Sequence, residues 1–447
     1  MTVQPSQFLP PSRALTAAVD AIWSLPFPAP ADFLSSPSFK AVQAACAEDF
    51  GEEAKSFGTI FALANALRSL GPPCQHRDPA VQGTALAAAE GLAQSFQTHH
   101  RTVVHLCPLD LADTLPEFWF GRARIISLSP EDLEAIIDTA RLRRWGHEWR
   151  PDRSKVSQLQ WLVVEEDVES PPSPGRRANS LLYEPVSEWG RPPIEPHAPR
   201  FPRAVQEALF LLLLAPWEDW TDVMPDEWRG FFLGWVYTAD PDLAQRPAFP
   251  PGVDALAWEP DPRADDEDHE RLAHRFLDEA AASLPAIVSE RFRQLEGTRT
   301  SPLLDAPIIH FLVTAFANQG IDEFMAHIAV AEAALGLSTD YPRKGRPKPT
   351  VLPKISSIGR LSCRLVGLLE DVEVAPTFDR LFELRSEFVH GRAMDAIPIK
   401  ALMDARRLAR RVANAILALA AADPSAPLEA VLEALLVSGA ERLGRAN

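Results

Sequence analysis

Cysteine is scarce: Cys46, Cys74, Cys107 and Cys363 are the only four, and they stand far apart. None forms a C-x-x-C pair, so neither a zinc knuckle nor a disulfide framework is signalled, and a reducing compartment is expected. Long apolar runs are missing as well. The longest, Ala208 to Trp217, falls well short of the roughly 20 residues that span a bilayer. No basic stretch followed by an apolar core opens the chain, which excludes a visible secretory signal. G-x-S-x-G, the P-loop and G-x-G-x-x-G are all absent, so the commonest hydrolase and nucleotide-binding signatures are excluded. Basic charge is in short supply too, with 44 Lys and Arg against 61 Asp and Glu for a net charge of −17. That balance argues against broad nucleic-acid binding. The expectation is a soluble cytoplasmic protein without a membrane partner.

Proline is plentiful: 42 residues, about twice the usual share, point to stiff connections or poorly ordered linkers. A hydrophobic content of 46% and a charged content of 23% fit a globular chain, and 447 residues call for two or three domains. Acidity is unevenly spread. From Leu304 onward basic and acidic side chains balance, so the whole excess lies upstream.

Periodicity gives a chain that is mainly α with a small α+β module in its N-terminal part and a helical bundle at its C-terminus. Residues 1–100 read as helical, being rich in Ala, Glu, Gln and Leu. Residues 101–258 form the α+β module, with strands expected at Thr102–Leu106, Arg124–Leu128 and Leu159–Val164. Ser129-Pro130-Glu131-Asp132 reads as a helix start, Ser129 capping and Pro130 at the first position. Five tryptophans crowd the end of this module (Trp217, Trp220, Trp228, Trp235, Trp258); core packing is expected of them rather than a stacking platform. Residues 259–270 are an acidic, Pro-containing linker, and 271–447 are helical throughout.

The chemistry concentrates in Arg385-Ser386-Glu387-Phe388-Val389-His390-Gly391. A helix is expected over Thr377–His390, its apolar stripe made by Phe378, Leu381, Phe382, Phe388 and Val389. Arg385 projects from the middle of that stripe, where a guanidinium needs an anion. Glu332 lies on the apolar seam of an earlier helix and is the candidate carboxylate. His390 sits five residues on, about 7.5 Å along the axis and roughly 140° around it, so the two share no ideal face. Ser386 and His390 do share one. Gly391 can end the helix in a left-handed turn. Arginine offers a fork suited to phosphate, and histidine exchanges a proton near neutral pH.

This stretch resembles the R-x(4–6)-H signature of the HEPN superfamily, in the R-S-x-x-V-H-G form of Apea-like members. Ala331-Glu332-Ala333-Ala334-Leu335 is similar to that family's A-x-E-A-L-L stretch, and the long helix expected at Ala401–Ala421 follows the motif as in the family. Upstream, His105–Leu109, Phe120-Gly121-Arg122 and Ile125–Glu131 resemble the small module that often precedes such domains. The resemblance implies a HEPN-type bundle that homodimerises and cuts RNA without a metal or other cofactor. Ser386 would orient phosphate or His390, His390 would act as general acid or base, and Arg385 would stabilise the phosphate. It also implies an effector of prokaryotic antiviral defence, or a toxin, whose N-terminal region senses a phage or cellular trigger. The alternative is a non-catalytic HEPN module that dimerises or binds RNA or another ligand.

Arg343, Lys344, Arg346, Lys348 and Arg392 are candidate phosphate contacts, and Arg406, Arg407, Arg410 and Arg411 could border the cleft. His99, His100 and His105 lack partners at metal-ligand spacing and read as surface histidines, so no metal site is expected. Cys74-Gln75-His76 has no second His, Asn or Asp context that makes it a catalytic set.

Overall fold

The computed structural model describes residues 8–50, 57–150, 152–170, 199–220, 229–260, 269–274, 277–305, 307–341, 349–391 and 396–445. It is mainly helical with a small antiparallel sheet. The chain opens with helices α1 (Arg13–Trp23), α2 (Pro37–Phe50), α3 (Phe57–Leu70) and α4 (Ala85–Gln97). Strands β1 (His100–Asp110), β2 (Phe118–Phe120) and β3 (Ala123–Ser127) follow. Next come helices α5 (Pro130–Ile137), α6 (Thr139–Arg144) and α7 (Arg153–Ser157), then β4 (Gln160–Glu169). Helices α8 (Arg203–Leu213) and α9 (Trp217–Trp220) precede short strands β5 (Tyr237–Ala239), β6 (Trp258–Pro260) and β7 (His269–Arg271). The rest is helical: α10 (Asp278–Thr298), α11 (Ile308–Ala317), α12 (Gly320–Leu335), α13 (Ser357–Leu369), α14 (Val374–Val389), α15 (Ile399–Ala422) and α16 (Leu428–Arg442).

The chain divides into two compact units, each assembled from separated segments. The first comprises residues 1–108, 127–194 and 233–271. Its helices α1 to α4 close on a core that includes Leu15, Val19, Phe39, Leu63, Leu92 and Phe96. Ser12 and Thr84 cap α1 and α4 by accepting from backbone N–H groups three residues on, as those residue types favour. Strand β1 pairs antiparallel with β4, His105 opposite Val164, and with β5, His105 opposite Thr238. Ser129 caps α5 in a full capping box with Asp132, Pro130 in the first turn. The acidic stretch expected as a linker is flanked by paired strands, Glu259 opposite Glu270 in the β6–β7 ladder; residues 261–268 lie outside the described residues.

The second unit comprises residues 109–126, 195–232 and 272–447. It holds the β2–β3 hairpin and helices α8 to α16. Trp217 is fully buried, edge-on to Trp220 at 5.2 Å and to Phe231 at 5.7 Å, so these tryptophans are core. Helices α13 and α16 approach so closely that a Cβ on Gly439 would stand 1.7 Å from the Cys363 carbonyl oxygen, and one on Gly367 would stand 2.2 Å from that of Leu435. Among the described residues no single helix is long and apolar enough to cross a membrane.

Candidate functional site

Helix α14 forms because Val374, Ala375, Phe378 and Leu381 make one buried face. It begins three residues before the expected Thr377. Pro376 does not prevent this, since the first turn of a helix needs no N–H from it. The helix ends at Val389. His390 is its C-cap, donating its backbone N–H to the Ser386 carbonyl at 3.0 Å, and Gly391 follows at φ +67°. Without a Cβ, Gly391 takes that left-handed turn without strain.

Arg385 lies one turn before this end, with its side chain 29% exposed. Its Nε is 3.3 Å from Oε2 of Glu332 on α12, whose side chain is 19% exposed. The guanidinium carbon lies 5.3 Å from the centre of the Phe382 ring, a cation–π contact. Burial pushes the Glu332 carboxyl above its ordinary value, and Arg385 pulls it back. Tyr341 stands in the same field: burial raises its phenol first, and the carboxylates of Glu332 and Asp340 add to the rise. Nε makes the closest approach to Glu332, and the Arg385 side chain forms no hydrogen bond among the described residues, so its fork keeps donors for an arriving anion. Ser386 is half-buried and His390 is exposed, and neither makes a side-chain hydrogen bond among the described residues. Phe388 and Val389 beside them are 44% and 50% exposed.

Arg343, Lys344, Arg346, Lys348 and Arg392 lie outside the described residues, as does Trp228. All four arginines of α15 are paired with carboxylates, Arg406 and Arg410 in buried or largely buried pairs and Arg407 and Arg411 at the surface. Arg406 pairs with Glu323 at 2.7 Å, Arg407 with Asp219 at 3.0 Å, Arg410 with Glu218 at 2.5 Å and Arg411 with Asp371 at 2.9 Å. The expectation of surface histidines fails at His105, which is buried in the sheet: Nδ1 meets Thr238 Oγ1 at 2.9 Å and Nε2 meets Glu166 Oε2 at 3.0 Å. His99 and His100 are exposed. No metal-ligating cluster occurs among the described residues.

Two buried ionic hubs escaped the sequence reading. Glu323 joins Arg229 at 2.9 Å and Arg406 at 2.7 Å, with His327 at 3.6 Å. Asp340 joins Arg360 at 2.6 Å and also Arg364, which in turn donates to the Leu335 carbonyl at 2.8 Å. The i,i+4 pairs Glu323–His327 and Arg360–Arg364 were the available local signal. Their remaining partners are distant in sequence and left none. Tyr341 and the ring of Phe382 beneath Arg385 were equally unmarked.

No protein-family model, curated protein or solved structure matches the chain.

Proposed function

We propose that the second unit is a HEPN-type endoribonuclease that works as a homodimer and cleaves RNA through its own 2′-hydroxyl. The observation that carries this reading is the end of α14, where a half-buried Arg385 with free fork nitrogens, Ser386 and an exposed His390 occupy the last turns of one helix. His390 takes the proton from the ribose hydroxyl, or returns one to the leaving 5′-oxygen, a role worth about 10²–10⁴ in rate. The 2′-oxygen attacks the neighbouring phosphorus and the P–O5′ bond breaks, leaving a 2′,3′-cyclic phosphate. Arg385 neutralises the charge that develops on the phosphate oxygens. Glu332 positions Arg385 without touching the substrate. Exposed Phe388 and Val389 supply apolar surface for a second copy, and two copies of the helix end bring two Arg and two His into one cleft. In the cell this fits an effector of prokaryotic antiviral defence, or a toxin, released by a phage or cellular trigger.

The Arg385–Glu332 pair favours a second reading, in which the bundle dimerises or binds RNA without cutting and Arg385 is a structural ion pair. The test is cleavage of end-labelled single-stranded and hairpin RNA by wild type, Arg385→Lys and His390→Ala. The nuclease predicts loss in both variants, because lysine keeps the charge but not the fork. RNA retention without cleavage by all three proteins, with or without a trigger, selects the second reading.

A further inference from the structure

The first unit contains a cavity of about 870 Å³, inside the range of small-molecule sites. Arg68, Arg143, Arg144 and Arg246 line it, and no Asp or Glu does. That is unusual in the acidic part of the chain. Arg144 is structural, donating to the carbonyls of Val81 at 2.8 Å and Ser69 at 2.6 Å. The other three differ from the arginines of α15, since no carboxylate pairs with them among the described residues. Arg68 and Arg246 gather on one ring, their guanidinium carbons 4.6 Å and 5.7 Å from the centre of Trp145. Arg246 also contacts His147 Nε2 at 2.9 Å. Burial, and then the charge of Arg246, hold Arg68 below its ordinary value.

The lining also holds two polar atoms without partners. Gln75 Oε1 and His76 Nε2 are buried and make no hydrogen bond, and His76 is only 8% exposed. Burial lowers the affinity of His76 for a proton, opposed by a hydrogen bond with the Arg68 backbone, and Arg68 and Arg144 lower it further. A neutral ring with its other nitrogen engaged leaves Nε2 an acceptor, as Gln75 Oε1 is. Both atoms therefore want donors. Phe27 and Phe61 line the same cavity and are 52% and 41% exposed, so both offer large apolar faces.

We propose that this cavity binds a nucleotide whose base carries an exocyclic amine. Arg68, Arg143 and Arg246 hold the phosphate, Phe27 and Phe61 face the base, and the amine donates to Gln75 Oε1 and His76 Nε2. The site stands independently of RNA cleavage by the second unit.

Calorimetric titration of the full-length protein tests this with AMP, UMP, adenosine and inorganic phosphate. AMP should bind, and adenosine and phosphate should each bind at least about tenfold more weakly, since each lacks one half of the recognition. UMP, which lacks the amine, should also be weaker. Arg246→Gln, at an exposed position, should weaken AMP about tenfold without changing the circular dichroism or melting of the free protein. If that variant fails to fold, Arg143→Gln, also exposed, gives the same readout. No AMP binding at millimolar concentration overturns the proposal. So does phosphate binding as tightly as AMP, or arginine variants that bind AMP like the wild type.

Discussion

Arg385 and Glu332 meet where both are partly wet, whereas Glu323 meets its arginines where both partners are 2–3% exposed. The difference predicts opposite behaviour in two carboxylates of one helix. Glu332→Gln should change stability by about 1 kcal/mol or less, because a pair that water still reaches gains little. Glu323→Gln should cost about 3 kcal/mol or more, because Arg229 and Arg406 are left buried and unpaired. Urea midpoints at neutral pH check both. Burial works against ionisation of Glu323, yet His327, Arg229 and Arg406 bring its carboxyl down from 4.5 to about 2. Between those values the unfolded chain binds the proton and the native one does not. The stability contributed is therefore complete above pH 4.5 and drains as pH falls toward 2. His327, held low chiefly by burial, adds a loss of the same sign below its ordinary 6.5. Urea midpoints of the wild type should fall across this acid range, and a flat profile would contradict the hub. Arg385 was legible as a residue needing an anion because it interrupts an apolar stripe. The hubs were not legible, because Arg229 and Asp340 reach their partners across long stretches of chain.

Helices α12, α14 and α15 could be located from apolar spacing alone, since one face of each is buried and the pattern records that face. What packs on the face is another matter. The arginines of α15 looked unpaired because sequence shows a helix its own neighbours only, and their carboxylates come largely from α9 and α12. The crossing of α13 and α16 was equally hidden, resting on Gly367 and Gly439, which let two backbones touch. Gly439→Ala should destabilise by about 1–3 kcal/mol or prevent folding, because the added methyl meets a backbone carbonyl that cannot turn aside. Gly391→Ala is the contrasting case. Its Cβ meets nothing within 4 Å, so only the left-handed φ is strained, at a cost of about 1–2 kcal/mol. That change should fray the end of α14 and reduce cleavage more than it lowers the melting temperature.

At the scale of the molecule, composition recorded the helical class and the acidic upstream part, and alternation recorded the strands. The division into units could not be read, because residues 109–126 belong with 272–447 and residues 233–271 return to the first unit. Local pattern carries no trace of such returns. An enzyme completed only when two chains meet should show specific activity that rises with protein concentration before levelling, in step with dimer mass by sedimentation. Activity per chain that is constant well below the dimer constant would contradict that. The most direct measurement is of the cut itself. Purified wild type and His390→Ala are incubated with structured and single-stranded RNA in EDTA, and the new 3′ ends are identified by mass. Arg385 and His390 as the catalytic pair predict 2′,3′-cyclic phosphate ends from the wild type and intact RNA from the variant; cleavage by His390→Ala at the wild-type rate, or 3′-hydroxyl products, would contradict it.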